Sequence, residues 1–227
     1  MDVHLVVAPV FATNCTVVVQ DGDCVVVDAG AGVAATVERL VREHGWTVRA
    51  VLATHGHVDH TWDAAALCDA FGVPLRIHEA DTYRLADPFG TLGLTGPGVS
   101  GALVQALTAQ GLHADDYRAP SAVVPFGAEA DDDGTLVAGA VRLRVLPAPG
   151  HTEGATLYVA GDVVLAGDVL FAGGVGRTDL PGGDPAAMRA TLRDVVGRLD
   201  PGLRVVPGHG PTTTVAHELA TNPYLGG

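Results

Sequence analysis

The 227-residue chain is 48% hydrophobic, enough for a large core, and sets 13 basic against 26 acidic residues for a net charge of -13. All its cations are Arg, which excludes lysine Schiff-base catalysis, and so negative a surface repels nucleic-acid phosphates. No apolar run reaches the ~20 residues of a membrane span. The opening MDVHLVVAP holds an acid where a secretory leader would hold bases, so one cytoplasmic domain over residues 1–227 is expected.

The first third alternates β-branched runs with helical patterns. CTVVVQDGDCVVVDAG reads as two strands joined at Asp21-Gly22-Asp23, and its Cys15 and Cys24 read as small core residues. With Cys68 they make an odd set without a CxxC pair, which fits reduced thiols. Val33, Val37, Leu40 and Val41 recur at helical spacing. TVRAVLAT is a buried strand, residues 58–71 are helical, and PLRIH is a further strand. From Asp81 to Ala119 the chain is glycine-rich, with a helix expected near residues 99–110 and a substrate-covering loop possible across 81–110. The acidic GAEADDDG at 127–134 reads as a solvated loop, since its oxygens lack calcium-loop spacing. Strands return in TLVAGAVRLRVLPAPGH and ATLYVAGDVVLAGDVLF. A helix capped by Asp184, with Pro185 in its first turn, presents Met188, Leu192, Val195 and Leu199 on one face, and LRVVPGHG is a last strand. Strands, helix, strand in each half suit two packed sheets with helices outside.

Three imidazoles and a carboxylate crowd into THGHVDH, residues 54–60. On extended backbone, positions two apart face the same side, so His55 and His57 can chelate one ion. Asp59 and His60, at the turn into a helix, aim at a neighbouring position. Such ligands suit Zn, Fe or Mn. Further candidates follow apolar strands beside glycines: His151 in PAPGHTEG, Asp168 in LAGDVLF and His209 in VPGHGP. Asp162 competes with Asp168, but it sits in a hairpin turn between apolar runs. His4, His44, His78, His113 and His217 read as structural.

This order of motifs, from Cys15 to His209, resembles the metallo-β-lactamase superfamily. The resemblance implies an α/β fold, a four-layer αββα sandwich of two mixed sheets, with a dinuclear site at the sheet edges. It assigns His55, His57 and His151 to the first metal, Asp59, His60 and His209 to the second, and Asp168 to a bridge. True β-lactamases usually place Cys at the position of Asp168, and nuclease members carry basic RNA-docking parts. GGVGRTDLPGGD and GHGPTTTVAHELATNPYL look instead like the hydroxyacylglutathione hydrolase (glyoxalase II) branch, in its short form without a C-terminal helical extension.

That branch implies two divalent ions, zinc first, with iron or manganese also fitting, and a small-molecule thioester substrate. Two ions sharing a water lower its pKa toward ~7. The resulting hydroxide, oriented by the catalytic Asp59, attacks an acyl carbonyl, and a thiolate departs without a strong general acid. Arg177 follows Gly-Val-Gly and offers a planar fork for a substrate carboxylate, or an internal salt bridge to Asp179 or Asp184. The alternative is a mononuclear-iron persulfide dioxygenase, whose metal is held by two His and one Asp.

Overall fold

Runs such as Val17-Val18-Val19 and Val25-Val26-Val27 have no polar face, as strands covered on both sides require. Their side chains divide by alternation. Val17, Val19 and Val26 enter one buried cluster, while Val18, Val25 and Val27 enter another on the opposite face of the sheet. The computed structural model describes residues 1–93, 101–127 and 134–226, so most of the acidic 127–134 run lies outside the described residues, as does 94–100 of the expected covering loop.

In chain order the strands are β1 Asp2–Val7, β2 Asn14–Gln20, β3 Asp23–Val27, β4 Thr47–Leu52, β5 Leu75–His78, β6 Val123–Phe126, β7 Thr135–Ala138, β8 Val141–Pro147, β9 Thr156–Ala160, β10 Val163–Gly167, β11 Leu170–Phe171, β12 Gly174–Val175, β13 Arg204–Pro207 and β14 Thr213–Thr214. The helices are α1 Ala34–His44, α2 Val58–Thr61, α3 Ala64–Phe71, α4 Gly101–Ala109, α5 Pro185–Asp194 and α6 Val215–Thr221. One six-stranded sheet runs β1-β2-β3-β4-β5-β6 and the other β14-β13-β10-β9-β8-β7. Each mixes parallel with antiparallel pairs. Three apolar layers follow: α1 and α3 against the first sheet, sheet against sheet, and α5 with the start of α6 against the second. This is the expected αββα sandwich, a metallo-β-lactamase fold. Among the described residues, no helix is long and apolar enough to cross a membrane.

Local chemistry explains the turns. Asp21 and Gly22 both take left-handed φ, at 51° and 84°, the pairing a tight hairpin between β2 and β3 demands. Asp184 caps α5 by accepting from the backbone of Ala186 and Ala187, with Pro185 opening the helix. The helix stops at Asp194 and a 3₁₀ turn over 196–198 delivers Leu199 to the core.

Several elements differ from the sequence reading, among them β14 and α6, which follow the expected last strand. The helical stretch from Val58 to Phe71 is broken, because the Asp63 amide bonds to the Ala29 carbonyl rather than continuing α2. The Asp59 carbonyl meanwhile accepts from the Thr13 hydroxyl, and Asp63 caps the start of α1 through Gly32 and Ala34. β1 and β6 carry no strong period and were not anticipated; both are edge strands, where Pro125 is tolerated.

Leu143, fully buried between the sheets, tests the inter-sheet core. Leu143→Ala should cost about 2–5 kcal/mol, read as a lowered urea midpoint of the metal-free protein.

Candidate metal centre

Five of the residues that carry the chemistry follow strand ends, and Asp59 and His60 lie in the short helix α2. His55 and His57 come after β4, His151 after β8, Asp168 after β10 and His209 after β13. Short loops therefore bring residues up to 154 positions apart to one rim, where their ligand atoms lie within 4.8 Å of one another in three overlapping groups: His55–His57–His151, His55–His60–Asp168 and Asp59–His60–His209. None of His4, His44, His78, His113 or His217 joins a group. His4 and His44 pack on Trp46, and His78 and His113 cap 3₁₀ turns.

In the first group three ring nitrogens converge. His57 Nδ1 lies 3.1 Å from His55 Nε2 and 2.9 Å from His151 Nε2. The outward nitrogens fix the tautomers. The Thr54 hydroxyl donates to Asp28 Oδ2 at 2.8 Å, so it accepts from His55 Nδ1 at 3.1 Å. His151 Nδ1 donates to the Arg177 carbonyl at 2.8 Å. Both rings then present Nε2 lone pairs inward. Burial, then the neighbouring imidazoles of His60 and His57, pushes His55 well below its ordinary range, and burial with His151 holds His57 at about 3. Two Nε2 lone pairs thus face His57 Nδ1, while His57 Nε2 is buried without a hydrogen-bond partner, so a cation among the three inward nitrogens would satisfy them together. The donor set fits a metal ion.

The second group is more anionic. His209 Nε2 is 3.1 Å from Asp59 Oδ2 and 3.3 Å from His60 Nε2, while its Nδ1 donates to the Phe11 carbonyl at 3.0 Å. His60 turns Nδ1 toward Asp28, 3.0 Å away, leaving Nε2 inward. Burial disfavours charge on His60 and His209, yet the carboxylates around them outweigh it and raise both. Asp59 and Asp168 lie below the usual carboxylate range because the imidazoles, His60 foremost, overcome the cost of burial. This half-site draws in positive charge, as a divalent ion would supply.

Asp168 stands between the two. Its Oδ1 is 3.4 Å from His60 Nε2 and 3.7 Å from His209 Nε2, and its Oδ2 is 3.6 Å from His151 Nε2. One oxygen thus faces each half-site, and Oδ1 is buried without a hydrogen-bond partner. A Cβ at Gly208 would collide with Asp168 Oδ1 and press on the His60 ring, which explains the glycine of VPGHGP. Asp162, by contrast, lies exposed in the β9–β10 turn, 3.5 Å from Arg204. Arg177 is exposed and bonds Asp179 through Nε at 2.7 Å and Nη2 at 2.8 Å, the salt-bridge arrangement, yet it also lines the cavity over the cluster. That cavity, about 540 Å³, is walled by Phe11, Leu92, Phe171, Val175 and Leu180.

Sequence reading missed Asp28, Thr54 and Phe11. Asp28 follows β3 with a left-handed φ of 58°, and nothing in VVVDAG marks it as the partner of His60 and Thr54. Phe11 enters through its carbonyl, which no side-chain motif can announce.

Two mixed sheets carrying paired His/Asp half-sites at their strand ends define a class of metal-dependent enzymes. The chain belongs to the metallo-beta-lactamase superfamily, whose family model matches residues 8–216. It is similar to a probable metallo-hydrolase, YqgX, of Bacillus subtilis, at 32% identity over 97% of this chain and 95% of that one. It is also similar to the hydroxyacylglutathione hydrolase GloC of Haemophilus influenzae, at 27% identity over 99% and 98%. Among solved structures, TTHA1623 in a di-iron-bound form superposes with a TM-score of 0.76 at 32% identity, covering 98% of this chain and all of that one.

If Asp168 spans both half-sites, Asp168→Ala should lose bound metal and nearly all turnover, whereas Asp162→Ala should change neither. Metal content per chain by elemental analysis, beside the rate, checks this; the reverse pattern would assign the bridge to Asp162.

Proposed function

We propose that this metallo-hydrolase superfamily member hydrolyses thioesters, S-acyl conjugates of a small thiol such as S-lactoyl derivatives. The observation that carries the reading is the complete double ligand set, with Asp168 turning one oxygen to each half-site. His55, His57 and His151 would hold one ion, Asp59, His60 and His209 the other. When bound, two divalent ions supply an activated water at neutral pH and polarise an acyl carbonyl. The likeness to GloC supports the thioester, and the di-iron neighbour leaves zinc, iron and manganese all compatible.

The chain's own groups divide the remaining work. Asp59, partly exposed to the cavity, accepts a hydrogen bond from the attacking water and orients it. Phe11, Phe171, Leu92 and Leu180 hold the apolar part of the substrate and exclude bulk water. Arg177 binds a substrate carboxylate by exchanging it for Asp179. No side-chain nucleophile is needed. All three cysteines are buried, and burial pushes the thiols of Cys24 and Cys68 up to about 12. The leaving thiolate is stable enough, at an ordinary pKa of about 8.5, to depart without a strong acid.

A hydrolysis screen across acyl conjugates of several low-molecular-weight thiols, joined to metal analysis and oxygen uptake, tests the reading. Thioester turnover that is lost on chelation and restored by metal is expected. One iron per chain with oxygen consumption would overturn it in favour of a persulfide dioxygenase. Replacing all three cysteines should leave the rate within a few-fold, and added acyl mass on the intact protein during turnover would refute direct attack by water.

Arg177→Met should raise KM for a carboxylate-bearing thioester by roughly 10- to 100-fold, the worth of a charge-assisted pair of ~1.5–3 kcal/mol, with kcat nearly unchanged. Unchanged kinetics would leave Arg177 as a surface partner of Asp179 alone.

A further inference from the structure

Asp81 and Arg84 are both fully buried, in the 3₁₀ turn that follows β5, and neither belongs to a metal-ligand motif. The Asp81 carboxylate accepts from four donors. Its Oδ2 takes the Gly56 amide at 2.8 Å and the Thr152 hydroxyl at 2.7 Å, and its Oδ1 takes the Gly154 amide at 2.9 Å and Arg84 Nε at 3.3 Å. Gly56 lies between His55 and His57, and Thr152 directly follows His151. One carboxylate therefore anchors both loops that carry the three nitrogens of the first half-site.

Arg84 extends the anchorage to the cavity wall. Its Nη2 bonds Glu153 and, at 3.1 Å, the Pro181 carbonyl, and its Nη1 lies 3.4 Å from the Thr91 carbonyl. Pro181 follows Leu180 and Thr91 precedes Leu92, both of which line the cavity. The packing leaves no slack. A Cβ at Gly56 would meet the Asp81 carbonyl at 2.8 Å and Arg84 Cδ at 2.9 Å, and one at Gly154 would meet Asp81 Cγ at 2.8 Å. Stability alone does not account for this arrangement, since well-packed apolar residues often match or exceed a buried ion pair. Its particular feature is where the hydrogen bonds go: three of Asp81's four donors belong to the two ligand loops.

We infer that Asp81 is a positioning residue for the first metal half-site, setting the spacing between the His55–His57 loop and the His151 loop, with Arg84 as its counter-charge. This rests on the metal-centre reading of His55, His57 and His151. Partners just outside a ligand shell govern metal affinity by typically 10–100-fold, so the effect is read on binding rather than on turnover.

Zinc titration of the metal-free protein by calorimetry, with thermal unfolding of the same samples, separates positioning from mere stability. His151→Ala first identifies which zinc-binding event belongs to this half-site. Asp81→Asn should weaken that same event by roughly 10- to 100-fold and spare the other. In the Asp81→Asn/Arg84→Met variant no buried charge is left alone, so thermal stability should return toward the parent while zinc affinity stays low. Thr152→Val removes one anchor and keeps both charges, and should weaken the same event several-fold even if the Asp81 variants fail to fold. Parent-like zinc affinity in Thr152→Val, or affinity recovering together with stability in the double variant, would overturn the inference. Parent-like zinc binding by His151→Ala would instead overturn the metal-centre reading on which it rests.

Discussion

Lone pairs that face one another are the constraint around which this protein is organised. Imidazole nitrogens of His55, His57 and His151 approach within 2.9–3.1 Å, and the carboxylates of Asp59 and Asp168 close on His60 and His209 a few ångströms further along. The imidazole trio does not hold together on its own interactions, because groups of like polarity are pressed inward and away from water. It persists because rigid strand ends on two sheets fix the loops that bear it, and because the outward nitrogens of His55, His151 and His209 are already hydrogen-bonded.

Those outward partners do the chemical specification. Asp28 serves both half-sites, reaching His60 directly and His55 through the Thr54 hydroxyl, while carbonyls of Phe11 and Arg177 take the outer nitrogens of His209 and His151. Each contact chooses a tautomer, and so each decides which nitrogen remains free for a cation. The Asp81–Arg84 pair acts one step further out, on backbone rather than on rings. Position is set from the loops, protonation from the ring partners, and the two kinds of control are carried by different residues.

The cavity above the cluster is compatible with the neutral acyl substrate proposed for it. Its walls are mainly apolar, and Arg177 at the rim is already matched by Asp179. In a chain of net charge -13, that single guanidinium is a selective feature rather than part of a broad cationic field. The buried, protonated thiols of Cys24 and Cys68 remove the obvious competitors for a nucleophilic role, and leave the rim as the place where bond-making can occur.

Much of this was legible in the sequence, for reasons that are local. Valine runs without a polar face announce doubly covered strands, Asp21-Gly22 a hairpin, and Asp184-Pro185 a helix start, since each depends on neighbours in the chain. The crowding of THGHVDH and the strand-then-glycine settings of His151, Asp168 and His209 likewise marked the residues that the fold gathers. Tertiary structure alone decided the rest. The break after α2 follows from Asp63 bonding Ala29, and the edge strands β1 and β6 exist because a neighbouring strand offers them a ladder. Asp28, Asp81 and the Phe11 carbonyl acquire their roles only across 25 to 198 residues of sequence separation, where no periodicity or spacing can point. A ligand can be read from its residue type; the partner that orients it depends on which distant atom the fold places within 3 Å.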